Sequence, residues 1–290
     1  MKLATYSREG GAPRIGVVVE DGIIDLGTVA PTLPQEMIDL IKGGATMLDE
    51  VKRASAQGLP IPFQAVRLLA PIPHPPEYLG IGLNYVDHID EAGFSLPTAP
   101  TIFNKQTSSI TGPSDTVLLP RQSEQLDYEG ELGLVIGQAG RHLSREDAAA
   151  AIFGYVVVND LSVRDWQFSS PTVTLGKSFD THGPYGPWIV TADEVSDPQK
   201  LVITTTVNGN VRQHGTTADM IFDCCEIVAF LSQVMSLQPG TVITTGTPAG
   251  VGHFHRPPAY LRAGDLVTVD IEGIGRLANR IVAEARSDGQ

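Results

Sequence analysis

Cysteine is nearly absent from this chain: 290 residues carry two, Cys224 and Cys225, side by side. Adjacent cysteines strain the peptide between them when they bridge, so they read as two thiols within the apolar run Met220–Leu231. No disulfide framework is expected, and a reducing, cytoplasmic setting is. Charge is sparse as well, at 18% of residues, and positive charge is sparser. Twenty Lys and Arg against 33 Asp and Glu leave a net charge of −13, which argues against nucleic acid and anionic membrane as partners. No uninterrupted apolar stretch reaches the ~18 residues of a membrane span, and Met1–Tyr6 opens no long apolar segment of the signal-peptide kind. Zinc-type spacing of His and Cys is missing. The one close pair, His253 and His255, lies among prolines past a Gly-rich turn and reads as a surface loop rather than a metal clip. No repeat or low-complexity tract is present.

What is there is a 42% apolar composition, enough for a sizeable core in one large domain with a small appendage. Prolines at 60, 62, 71, 73, 75 and 76 punctuate the chain, and a boundary near residue 70 separates a small N-terminal α+β domain (1–70) from the main domain (71–290). In the first part, Arg14–Val19 and Gly22–Leu26 read as strands and residues 34–56 as helical. Beyond it the expected strands are Tyr78–Gly82, Thr101–Phe103, Gly130–Ile136, Gly154–Asn159, Trp188–Thr191, Val202–Val207, Val242–Thr244 and Leu266–Ile271. Helices are expected over Arg145–Ala151, started by Ser144, and over Phe222–Met235. The expectation is a mixed α/β but β-dominated fold with rolled or closed sheets.

The stretch Asp127-Tyr128-Glu129-Gly130-Glu131 runs directly into the apolar strand, and side chains two apart share a face. Glu129 and Glu131 then point the same way. Two like charges on an apolar element repel unless a cation lies between them, whereas on a half-exposed strand they would be plain outer-face acids. Asp160 ends the apolar strand Gly154–Asn159 and adds a third carboxylate, an all-oxygen set suited to Mg²⁺, Mn²⁺ or Ca²⁺. His88 and Glu91 stand at i and i+3, where a carboxylate can orient an imidazole and raise its basicity; an exposed polar helix start is the alternative. Arg164, four residues after Asp160, and Gln167 would align with it on a helical turn. Lys177 lies between Gly176 and Ser178, and Thr244–Gly252 is a Gly-rich turn whose amides can approach an anion but which lacks a P-loop ending.

Taken in order, these runs resemble the fumarylacetoacetate hydrolase superfamily, in particular its acylpyruvate-hydrolase and dioate-isomerase-like members. The matching runs are Gly82-Leu83-Asn84-Tyr85 with His88 and Glu91, Asp127–Leu132, Gly154–Asp160, Arg164-Asp165 with Gln167, and Gly176–Asp180. Val207-Asn208-Gly209, Met220-Ile221-Phe222, Thr245–Pro248, Gly250–Gly252 and Gly273–Gly275 complete the set. The resemblance implies a β-roll, usually dimeric, with a divalent cation on Glu129, Glu131 and Asp160. It implies a His88–Glu91 pair on a lid over about Val86–Leu96, and substrate contacts from Arg164, Gln167, Lys177 and Thr247. The implied reaction is water attack on a 2,4-diketo acid, an acylpyruvate-type substrate. His88 would be the base, Glu91 its orienter, and Lys177 and Gln167 donors to the oxyanion. Oxaloacetate decarboxylation, tautomerisation or isomerisation, and sugar-acid chemistry use the same constellation and stay open. The uncharged run Phe168–Thr174 makes a neutral or aromatic acyl group as fitting as a diacid. A homodimer acting on a small oxo acid is the expected form.

Overall fold

A computed structural model describes residues 1–285. The main path of its twelve-stranded sheet runs Ile61–Pro62, Gly22–Asp25, Arg14–Val19, Lys2–Ser7, Gly183–Thr191, Ile152–Asn159, Gly130–Ile136, Val242–Thr244, Tyr78–Gly82 and Thr101–Asn104. A five-stranded sheet orders Asn210–Thr216, Val202–Val207, Leu266–Ile271, Gly275–Ala283 and Val117–Leu119. The strands of the N-terminal segment join the large sheet through Leu3, which pairs with Ile189. The result is the mixed, strand-dominated roll expected of the sequence.

The central strands Gly130–Ile136 and Ile152–Asn159 are buried along their whole length. One face, with Leu132, Leu134, Tyr155 and Val157, packs on Ile203, Val269 and Leu277 of the smaller sheet and on Ile227, Val228 and Leu231 of the helix Cys224–Val234. The other, with Val135, Val156 and Val158, packs on Leu3, Val17, Leu40 and Ile41. Coverage on both sides is why these strands read as continuous apolar runs rather than alternating ones. Each wholly buried Val, Leu or Ile contributes about 1.5–3 kcal/mol over an exposed one. Gly133 sits where a Cβ would come within 2.7 Å of a methyl of both Val156 and Val158, so the tight pairing depends on it.

Local signals place most elements. The helix Arg145–Ala151 starts where Ser144 accepts the Asp147 N–H. The helix expected over Phe222–Met235 is Cys224–Val234, because a capping box of Asp223 and Glu226 fixes its start. The single helical stretch expected over 34–56 divides into Met37–Lys42 and Gly44–Ser55, the second opening on Gly44 at φ +59°. The strand expected from Trp188 begins at Gly183, because Tyr185 and Gly186 pair with Val158 and Val157 and draw the Gly/Pro run into the sheet. Among the described residues, no helix is long and apolar enough to cross a membrane.

Candidate metal centre and active site

The ladder between the two central strands ends at Gly130 opposite Asn159, and the site is built on that end. Glu131 projects from the strand itself, while Glu129 and Asp160 flank the last rung. The Asp160 N–H donates to the Glu129 carbonyl at 2.8 Å, and the Glu129 N–H donates to Asn159 Oδ1 at 3.1 Å. Backbone pairing thus carries the three carboxylates together: one oxygen from each lies within 4.8 Å of the others, and all three side chains are buried. It is the only such cluster found among the described residues.

Basic groups meet two of the three acids. Lys177 Nζ donates to Glu129 Oε2 at 2.5 Å and to Asp160 Oδ2 at 2.6 Å. Lys105 Nζ donates to Asp160 Oδ1 at 2.5 Å and also to the Lys177 carbonyl. Arg164 Nη1 donates to Glu129 Oε1 at 2.6 Å and to Gln167 Oε1 at 2.8 Å, while its Nε reaches Asp127 Oδ2 at 2.9 Å. Burial pushes the Glu129 carboxyl up, but Lys177 and Arg164 outweigh it and hold the pKa down to about 2. Among the described residues Glu131 meets no cation; it accepts from the Thr244 hydroxyl and, at 2.7 Å, from the Gly246 N–H. Burial, with Asp160 and Glu129 beside it, drives its pKa well above the usual carboxylate range. Asp127, Glu129 and Asp160 are matched by Lys105, Arg164 and Lys177, which leaves Glu131 as the buried carboxyl without a cationic partner among the described residues. An all-oxygen set whose unpaired member can ionise against an incoming ion fits a hard divalent cation.

The second half of the site is the helix Val86–Ala92. His88 Nδ1 lies 3.2 Å from Glu91 Oε2, the expected i, i+3 contact, and the imidazole edge packs on Phe254 with ring centroids 5.8 Å apart. His88, Glu129, Glu131, Arg164, Gln167, Lys177 and Thr247 all line one cavity of about 160 Å³. Its remaining wall is apolar, with Leu83, Phe94, Phe168, Val173 and Phe254 among the lining side chains. Thr247 Oγ1 donates to the Gly130 carbonyl at 2.9 Å, which fixes it beside the acids.

Residues 77–282 match the fumarylacetoacetate (FAA) hydrolase C-terminal family. The chain belongs to the fumarylacetoacetate hydrolase family. Human mitochondrial oxaloacetate tautomerase FAHD2A is 43% identical over 275 residues, spanning 93% of this chain and 88% of the relative. The fumarylacetoacetate hydrolase of Exiguobacterium antarcticum superposes with a TM-score of 0.86 at 39% identity, covering 98% of this chain and all of that one. Maleylpyruvate hydrolase of Sphingobium sp. SYK-6, solved with manganese(II) and pyruvate, gives 0.82 at 33% identity, again over 98% of this chain and 100% of that one. A fumarylacetoacetate hydrolase family enzyme with a buried acidic triad fitted to a divalent metal is therefore what this chain is.

Every site residue expected from the sequence lines this cavity except Glu91, which holds His88 Nδ1, and Asp160, which meets the lining residue Lys177 and the buried Lys105. One geometric expectation fails. Asp160 does not share a helical turn with Arg164, because Ser162–Val163 is extended and pairs with Leu126–Asp127; the turn Arg164–Gln167 starts only after it. Arg164 reaches Glu129 and Asp127 instead. Sequence reasoning also missed Lys105, which follows the strand Thr101–Asn104 and is wholly buried against Asp160. A lone lysine after a strand carries no local signal; only the cross-chain contact gives it meaning. Gln213 was missed for the same reason: it accepts the Gly130 N–H at 2.9 Å and donates to Thr247 Oγ1 at 2.7 Å. Of the two histidines past the Gly-rich turn, Nδ1 of His253 meets the Tyr260 hydroxyl, and Nε2 of His255 meets the Gly250 carbonyl.

Proposed function

We propose that this chain binds Mg²⁺ or Mn²⁺ at Glu129, Glu131 and Asp160 and tautomerises a small 2-oxo acid of the oxaloacetate type between keto and enol forms. The observation that carries the proposal is His88 in the same small cavity as Glu129 and Glu131, oriented through Nδ1 by Glu91. Glu129, Glu131 and Asp160 would hold the divalent cation, which would supply Lewis-acid stabilisation of the negative charge that develops on the substrate. The protein's groups supply the rest. With Nδ1 engaged by Glu91, His88 Nε2 is free to take a proton from C3 of the keto acid and deliver it to the 2-oxygen of the resulting enolate, and to carry it back in the reverse direction. Gln167 and Thr247, with Arg164 held by Asp127, offer polar contacts for substrate oxygens. A cavity of about 160 Å³ suits an acid of few atoms and leaves little room for bulk water. Tautomerases match nearly the whole chain at 43% identity, and the proton transfer they are named for needs only these groups.

Hydrolysis of an acylpyruvate is the second reading. The same His88–Glu91 pair is suited to activating water, the apolar wall of Phe94, Phe168 and Val173 suits an uncharged acyl group, and a maleylpyruvate hydrolase is among the structural relatives. Steady-state assays of enol-oxaloacetate and acetylpyruvate, each with Mg²⁺, with Mn²⁺ and with EDTA, separate the two. Metal-dependent ketonisation without loss of the diketone supports the tautomerase; metal-dependent loss of the diketone's ultraviolet absorbance supports the hydrolase. Release of CO₂ from oxaloacetate as the sole activity would replace both with a decarboxylase. The proposal includes a homodimer located in the cytoplasm, the former read by light scattering.

A further inference from the structure

The residue before His88 has no part in the chemistry above, yet the structure spends both its carboxylate oxygens on the site's geometry. Asp87 Oδ1 accepts the His88 N–H at 2.7 Å, and Oδ2 accepts the Ala249 N–H at 3.1 Å. Glu91 makes a parallel contact one turn on, where Oε1 accepts the Gly250 N–H at 3.0 Å. Two carboxylates on one helix therefore grip two consecutive amides of one loop.

That loop is held firmly from behind. Gln213 Nε2 donates to Thr247 Oγ1 at 2.7 Å and to the Pro248 carbonyl at 2.8 Å, and Asp127 accepts the N–H groups of Gly252 and His253 at 2.8 and 2.9 Å. Gly250, at φ +106°, lies so close to the Arg212 carbonyl that a Cβ would collide with it. The helix, by contrast, is anchored at its start, where Asn84 bonds Phe222 and Thr245 and Tyr85 is buried, and has little to hold the turns beyond. It is seven residues long, buries only His88 and Ile89, and is flanked by left-handed residues, Leu83 at φ +55° and Gly93 at φ +71°. A helix this short is not stable by itself, so its position is set by its tethers.

We propose that Asp87 is a positioning residue: by clamping the His88 helix onto Ala249 it fixes the distance between the imidazole and the substrate, without touching substrate or metal. The proposal rests on His88 as the proton-transfer group. Loss of a hydrogen-bonded carboxylate tether, and displacement of a reacting group by about 1 Å, each translate to roughly ten- to hundredfold effects.

The test compares Asp87→Ala and Asp87→Asn with the full-length parent protein. Amide hydrogen exchange over Val86–Gly93 and at Ala249 reports the clamp, and exchange of the C3 protons of 2-oxobutyrate in D₂O with Mg²⁺ reports chemistry. Asp87→Ala is expected to speed amide exchange in both segments at least tenfold, with kcat about ten- to hundredfold lower and KM and Mn²⁺ affinity within about threefold. Asp87→Asn, whose Oδ1 can still accept one of the two N–H groups, should recover part of both losses. Unchanged amide exchange overturns the clamp, and faster amide exchange with unchanged kcat overturns the positioning role. Should Asp87→Ala fail to fold, the same readouts on Asp87→Asn decide. His88→Gln with undiminished turnover would instead remove the reading of His88, and the amide-exchange result would stand apart from it.

Discussion

Replacing Lys105 with methionine isolates the electrostatics of the site from its chemistry. Lys105 is absent from the cavity lining, its side chain is 0% exposed, and its ammonium donates to Asp160 at 2.5 Å. Burial draws its pKa down and the attraction of Asp160 opposes that. Methionine keeps the length of the side chain and removes the charge, leaving the acids two cations where there were three. Breaking a buried pair from one side costs about 3–5 kcal/mol. At about 2–4 °C per kcal/mol for a chain of this size class, Tm in EDTA should fall by about 6–20 °C. A cation bound at the triad supplies the missing charge, so saturating Mn²⁺ should raise Tm more in the variant than in the parent. Thermal unfolding followed by circular dichroism, with EDTA and with Mn²⁺, reads all four values. A fall of less than about 2 °C in EDTA, or an equal metal-induced rise in both proteins, would refute the electrostatic coupling of Lys105 to the acidic triad.

His182 gives a pH signature separate from the triad. Burial holds its pKa down to about 4, against about 6.5 in the unfolded chain, so the unfolded state binds a proton that the folded state refuses. Its contribution is complete above pH 6.5 and is lost as pH falls towards 4, on the order of 3 kcal/mol in all. His182→Gln should flatten the Tm profile across that window, and an unchanged slope would remove His182 as its cause. His88→Gln should lower turnover at least a hundredfold while Mn²⁺ affinity by calorimetry stays the same; joint loss of both would place His88 among the ligands instead. Ser144→Ala removes the acceptor that caps Arg145–Ala151 and should cost about 1 kcal/mol by urea unfolding, with activity untouched.

The sequence made legible whatever local chemistry determines. Gly130–Ile136 and Arg145–Ala151 were readable to the residue because a doubly buried strand and a capped helix announce themselves in composition and spacing. The Glu129–Glu131 pair and the His88–Glu91 pair were readable for the same reason, being set by strand and helix periodicity. What was not legible comes from contacts between distant segments. Lys105 meets Asp160 across 55 residues and Gln213 meets Gly130 across 83, and nothing around either residue marks it. The strand expected from Trp188 starts earlier, at Gly183, because Gly and Pro favour turns and only the neighbouring strand Ile152–Asn159 makes that run extended. Arg164 was given the right neighbourhood by the wrong geometry, since the intervening Ser162–Val163 pairing could not be inferred from spacing.

The central claim is proton transfer at C3 of a 2-oxo acid by His88 beside a metal-loaded acidic triad. Proton NMR of 2-oxobutyrate in D₂O measures that step whether tautomerisation or hydrolysis is the physiological reaction. The account predicts deuterium entering C3 in the presence of Mg²⁺, abolished by EDTA and by Glu131→Gln and reduced to the buffer rate in His88→Gln. Exchange no faster than buffer, with Mg²⁺ demonstrably bound, would contradict it.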